Sequence, residues 1–396
     1  MLRTVTSWVC VVVLVSALGA CGSSKNSGAP TTGATNAAAT TEAPATADSW
    51  VQPFLAKAYA GTDSALPASS PPAAKSKTVW ILSCSQSAPG CAVPAQAALQ
   101  AATAIGWKAK ILDGKFDPTV WNTLVRSAAA AKPDALILDA VDCAAVQASL
   151  GAAKQAGVKI FGFYSFDCND TYTKGEPQFD GELSFSPWKN YGDFVENQFA
   201  KTQAAYAIAK TGGKANVIQL YETDVAVAHH IGDGYDRWMA TCKDCKVWKV
   251  PFTGADLISG KLQAKTAAAL TKYPTANVVA APYDATILLG IGPAVAAAEA
   301  SGRKVMLTGG EGLGPNIGLI KKGVETFAAG LPAAWVGWAS IDGVNRIFNG
   351  KPQVAEGLGN GAIDKTHNLP TKTPFYDGNA RSQDYQTVYK RLWGVS

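Results

Sequence analysis

This chain of 396 residues carries side chains suited to gripping a small molecule and few suited to cutting one. Gln86, Tyr164 with Asp167, Tyr283 with Asp284, and Glu311 stand just beyond short apolar runs, and His229 and Trp335 lie further along two other such segments. Aromatic faces stack on the C–H surface of a polar ring, while carboxylates and amides accept hydrogen bonds from its hydroxyls. Each such bond is worth roughly 1.5 to 3 kcal/mol when one partner is charged. A competing reading has the tyrosines as packing residues and Asp167, Asp284 and Glu311 as helix caps or solvated loop charges. Taken together, at matching positions, the set points to binding of a sugar or related small polar solute, or of an aromatic one. Catalytic signatures are missing: there is no Gly-x-Ser-x-Gly elbow, no His-Glu-x-x-His and no phosphate-loop lysine. Gly310-Glu311-Gly312-Leu313-Gly314 does not have the dinucleotide-binding spacing. The expectation is a protein that is not an enzyme and uses neither cofactor nor metal; an exported enzyme is the disfavoured alternative.

The cysteines set the compartment. Arg3, an apolar stretch over 8–17 and then Leu18-Gly19-Ala20-Cys21 resemble the lipobox of bacterial lipoproteins, which predicts a signal peptide over 1–20 and acylation of Cys21. Residues 22–48 are dominated by Ser, Thr, Ala, Gly, Asn and Pro without one aromatic, so they bury too little apolar surface to offset ordering and should form a tether. Outside the cytoplasm, Cys84, Cys91, Cys143, Cys168, Cys242 and Cys245 are expected to form disulfides, most simply between neighbours in sequence. Cys242-Lys243-Asp244-Cys245 follows a helical segment instead of opening one, and His229, His230 and His367 offer no second metal-type spacing, so a structural loop disulfide is favoured over redox or zinc chemistry there.

The elements that must position these residues are legible in the periodicity. Hydrophobic residues make up 47% and charged residues 16%, with a net charge of +5, which suits a folded chain. No basic run suggests nucleic acid, and no apolar run after the N-terminus is long enough to span a membrane. A short helix over 49–60 and a Pro-rich linker over 65–74 precede a regular alternation. Strand-like runs at 78–82, 109–113, 135–139 and 158–164 alternate with alanine-rich helical segments. The pattern restarts with a helix over 188–210 and strands at 216–220, 247–250, 277–281, 305–308 and 326–329; helices are expected at 226–240, 284–300 and 333–349. Gly106, Gly157 and Gly302 punctuate helix-to-strand corners. The fold class is α/β, two doubly wound parallel-sheet lobes joined by crossover strands. In open parallel sheets ligands bind at the C-terminal ends of the strands.

Over residues 77–353 the sequence resembles the type I periplasmic solute-binding proteins of ABC importers, in particular the ribose-binding-like subgroup. The resemblance rests on a polar loop after the first strand, Ile231-Gly232-Asp233-Gly234-Tyr235, Tyr283-Asp284 at an Asn-Asp position, Gly310-Glu311-Gly312, and Gly330-Leu331-Pro332 before a helix. It implies residues 77–186 plus 333–351 as one lobe and 187–332 plus 352–396 as the other, with 21–76 as lipidated cysteine, tether and short helix. It also implies hinge closure on a small-molecule solute and delivery to an ABC permease, by a monomer anchored outside the cell membrane by lipid on Cys21, with no nucleic-acid partner. A sensory protein reporting to a membrane receptor is the alternative. Sugar binders of this type place arginine before the glycine-acid-glycine run. Here that position is Ile231, so either another residue such as His229 replaces the clamp or the ligand is less hydroxylated than ribose. A closing helix over 382–393 is expected on the second lobe.

Overall fold

The computed structural model describes residues 47–185, 187–379 and 384–395. The expected signal peptide, Cys21 and most of the tether lie outside the described residues; all that follows belongs to the unit Pro44–Ser396. The first sheet contains β1 (Thr78–Ser83), β2 (Lys108–Asp113), β3 (Ala135–Asp139), β4 (Lys159–Phe163) and β5 (Gly181–Glu182), all parallel, in the order β2-β1-β3-β4-β5. The second contains β6 (Asn216–Glu222), β7 (Lys246–Phe252), β8 (Val278–Ala280), β9 (Met306–Gly309), β10 (Phe327–Gly330) and β11 (Gly361–Asp364), in the order β11-β10-β9-β8-β6-β7 with β11 antiparallel.

Strand position follows from residue type. Every residue of central β3 is buried; Ala135 to Leu138 form the apolar run that cover on both faces requires, and Asp139 closes the strand. Edge strand β2 turns Lys108 outward, and the Lys110 ammonium lies 3.5 Å from the centroid of the Trp80 ring. Gly106, Gly157 and Gly302 take φ of +88°, +88° and +92° at the expected corners. Helix Ala333–Phe348 packs on the alanine-rich helix Pro89–Ala104 of the first lobe, so closely that a Cβ on Gly337 would stand 2.4 Å from the Pro94 carbonyl oxygen. The helices expected over 188–210 and 284–300 each contain a wider π-helical turn, Val195–Phe199 and Ile287–Ile291. Among the described residues no helix is long and apolar enough to cross a membrane.

The chain crosses between lobes more often than the sequence suggests. The Ser184 and Ala355 segments run side by side as a parallel bridge. Residues 62–76, which include the stretch 65–74 expected as a linker, form a further crossing. Helix Ala47–Ala60 is fixed to the second lobe by Trp50, whose Nε1 donates to Thr241 Oγ1 at 3.0 Å, and by Tyr59, which donates to Asp364 at 2.7 Å. The Thr62 and Ser64 N–H groups then donate to the carbonyls of Asn360 and Gly357 at 2.9 and 2.8 Å. Further on, Asn345 donates to the Pro71 carbonyl and Trp107 to that of Ala74, at 2.8 and 2.7 Å, both on the first lobe.

The C-terminal helix corrects another expectation. It spans Tyr385–Trp393 and lies on the first-lobe helix Ala333–Phe348, with Trp393 stacked on Trp338 at 5.8 Å and its Nε1 donating to Asp342 at 2.7 Å. Asp342 also pairs with Arg346 at 2.7 Å inside this contact.

Candidate ligand-binding cleft

The C-terminal ends of the strands in both sheets open onto one cavity of about 870 Å³. From the first lobe, Phe116 and Trp121 enter after β2, Asp142 after β3, and Tyr164 and Phe166 after β4. The π-helical turn and its approach add Tyr191, Phe194 and Phe199. From the second lobe come Glu222 as the last residue of β6, Tyr283 after β8, Glu311 after β9 and Leu331 after β10. The expected disulfides Cys84–Cys91, Cys143–Cys168 and Cys242–Cys245 all form, and both sulfur-bearing residues of the first line this cavity.

Of the residues singled out from sequence, Tyr164, His229, Tyr283 and Glu311 line the cavity, whereas Gln86, Asp167, Asp284 and Trp335 do not. Gln86 donates to Ser83 at 2.8 Å and takes its own backbone N–H to Asp113. Asp167 organises its loop by accepting the N–H groups of Cys168, Gln178 and Phe179. Asp284 is fully buried behind the cavity and accepts the Leu313 and Glu311 N–H groups at 2.7 and 3.2 Å. Trp335 is a core residue whose indole faces the Tyr389 hydroxyl at 3.3 Å. His229 touches the cavity, but its Nε2 donates to the Thr223 carbonyl and its Nδ1 meets the Tyr221 hydroxyl at 2.7 Å.

Asp142, Trp121 and Phe116 line the cavity without belonging to the set that residue type suggests. Glu222 and Phe166 likewise line it, and only Phe166 stands next to a residue that the sequence singles out. The available signal for Asp142 is its place as the residue before helix Cys143–Gln155, three positions past the end of β3.

Two strand ends are held in the left-handed region, Ala140 at φ 52° and Tyr164 at φ 53°. For a tyrosine this conformation is costly, and such strain collects at functional sites. Tyr164 is 6% exposed, and its hydroxyl has no hydrogen-bond partner among the described residues.

Burial raises the carboxyls here. Glu222 is pushed up to about 8, against the hydrogen bond it accepts from the Tyr283 hydroxyl at 2.6 Å. Glu311 is pushed up to about 7, opposed by the Asp284 N–H at 3.3 Å. Asp142 rises to about 6 through burial, although it accepts the Phe166 and Ala226 N–H groups at 3.0 and 2.9 Å. Lys115 is the only lysine or arginine among the lining residues, and it is exposed.

The lobes touch along one side of the cavity. Besides Asp142 and Ala226, the Tyr172 hydroxyl donates to Asp233 at 2.7 Å. His230 lies between Asp170 at 2.9 Å and Glu196 at 2.6 Å, stacked on Phe166 at 4.4 Å. Burial opposes its charge, but the two carboxylates outweigh it and hold the imidazole at about 9.

The family described as periplasmic binding protein domain matches residues 80–352. Among solved structures, the glucose-galactose binding protein GanP of Geobacillus stearothermophilus aligns at TM-score 0.63 and 15% identity, over 75% of this chain and 100% of that one. A Mycobacterium smegmatis ABC transporter solute binding protein with bound glycerol aligns at 0.62 and 20%, over 76% and 99%. An Actinobacillus succinogenes periplasmic solute binding protein with bound D-allose aligns at 0.59 and 22%, over 73% and 98%. At these identities the likeness is one of fold. No protein of curated function matches the sequence.

Proposed function

The chain belongs to the periplasmic binding protein domain family, and on that premise we propose that it captures a small solute outside the membrane and presents it to an ABC permease. Its two lobes have the type I α/β architecture of that family. The observation that carries the reading is the cavity of about 870 Å³ between strand ends of two lobes, a volume in the range of small-molecule sites. The lobes are linked by crossover segments and meet across the cavity through few polar contacts, which is the arrangement a hinge needs. The ligands bound in two structural neighbours, glycerol and D-allose, favour a small solute carrying hydroxyl or other polar groups. In this proposal acylated Cys21 moors the protein to the membrane, and it acts as a monomer without cofactor.

Calorimetric titration with sugars, polyols and small aromatic solutes, paired with solution scattering, tests the reading. It expects submillimolar binding of at least one solute and a more compact scattering profile with it. Absence of both would overturn it. Crosslinking in the native membrane separates the two possible recipients, since a permease is expected in the adduct and a receptor kinase in its place would favour the sensory role.

A further inference from the structure

Recognition of a neutral sugar asks a site for donors as well as acceptors, because every hydroxyl both gives and takes a hydrogen bond. This cleft supplies one half of that exchange. Its lining contains no arginine, asparagine, glutamine or serine. Apart from exposed Lys115 and the hydroxyls of Tyr164 and Tyr191, the side-chain donors that line it are committed within the protein. Trp121 Nε1 donates to the Cys84 carbonyl, Tyr172 to Asp233, Thr173 to the Cys168 carbonyl and Thr223 to the Phe252 carbonyl. The His229 Nε2–H goes to Thr223 and the Tyr283 hydroxyl to Glu222. The carboxyls come from both lobes, Asp117 and Asp142 from the first and Glu222, Asp224 and Glu311 from the second, set among the rings of Trp121, Tyr164, Phe166, Tyr191 and Phe194.

Resting on the solute-capturing role above, we propose that the cleft takes a ligand with a positively charged nitrogen on a ring-sized apolar body, in preference to a neutral polyhydroxylated one. An ammonium is a donor with no acceptor to satisfy, the complement of a cavity rich in carboxyls and poor in free donors. By entering it favours the ionised form of Glu222 and Glu311, which burial otherwise holds protonated up to about 8 and 7, and aromatic faces attract it through their quadrupoles. The buried, unpartnered Tyr164 hydroxyl marks where a polar atom of the ligand is accommodated, on a backbone held at φ 53°. Raised carboxyls at Glu222 and Glu311 fit a site that is completed by an incoming cation.

The test uses matched probes that differ only in the nitrogen: tyramine against tyrosol, and D-glucosamine against D-glucose. Each is titrated calorimetrically into the full chain at pH 7.5 and low salt, with scattering recorded alongside. Tyramine is expected to bind about tenfold or more tighter than tyrosol, the worth of one charge-assisted contact, and tighter than either sugar. In Glu311→Gln the ratio of tyramine to tyrosol affinity should collapse toward one, and Glu222→Gln provides a second, near-isosteric variant; melting curves verify that both fold. Tyrosol equal to tyramine, or glucose tighter than both, overturns the cationic ligand class and leaves solute capture standing. If no probe binds and the scattering profile is unchanged, the capture reading falls and this inference with it.

Discussion

Asp284 and Glu311 look alike in sequence, each an acid at a strand end, yet they do different work. Glu311 faces the cavity, while Asp284 sits behind it as the acceptor for the N–H groups of Leu313 and Glu311. Asp284→Ala leaves those donors buried and should lower unfolding stability by roughly 1–3 kcal/mol in denaturant melts. Glu311→Ala should leave the melt nearly unchanged and weaken binding of whichever solute calorimetry identifies. The raised acids add a pH dependence. Glu222 and Glu311 keep their protons up to about 8 and 7 in the folded chain, whereas an unfolded glutamate loses its proton near 4.5. The folded state binds more protons across that interval, so stability contributed by these groups falls as pH rises from about 4.5 to 8. His230, held at about 9 against an ordinary 6.5, acts in the same direction: its contribution is complete below 6.5 and lost as pH passes 9. Melting temperatures of the ligand-free protein should therefore decline from pH 5 to 9, and a flat profile would contradict these protonation states. At this scale the sequence was half legible. Residue type located Tyr164, Tyr283 and Glu311, but whether a carboxyl turns toward a cavity or caps a neighbouring loop depends on contacts 27 to 29 residues away.

Strands and crossover helices were more legible, because burial on both faces leaves near-continuous apolar runs and glycine marks each corner. The misread elements are those whose hydrogen bonds are remote. Residues 65–74 look like a linker because proline and alanine dominate locally, yet the Pro71 carbonyl meets Asn345 across 274 residues. The loop after β4 carries Asp170 and Tyr172 to the second lobe, and the Cys143–Cys168 disulfide ties its root to the first turn of helix Cys143–Gln155. A Cys143→Ser, Cys168→Ser double variant should lose roughly 2–4 kcal/mol of stability by the loop-entropy estimate for a closure of 25 residues. It should also weaken solute binding, because the loop that bridges the lobes is less well placed. Unaltered affinity in a destabilised variant would assign that disulfide to folding alone.

Across the whole molecule, the polar contacts bridging the cleft are few: Tyr172 with Asp233, His230 with Asp170, and Asp142 with the Ala226 N–H. Each is worth roughly 0.5–3 kcal/mol, so a bound solute with modest preference for the closed form is sufficient to shift the balance. Tyr172→Phe should open the ligand-free ensemble measurably in scattering and raise Kd a few-fold, without loss of fold. Cys21→Ser should release the protein from membranes in fractionation, and retained association would refute the proposed lipid mooring.

The belt formed by residues 62–76 bears on how this protein must be handled. Cutting the gene at the family's apparent start, residue 80, would strip away helix Ala47–Ala60 and the belt together. Trp238 would lose its Trp50 neighbour, Asp364 its Tyr59 phenol, and the Asn345 amide its Pro71 acceptor. Newly bared indole and orphaned polar groups on both halves predict a product that clumps on expression, so the shortest well-behaved version should begin before Ala47, upstream of where homology alone would place the scissors.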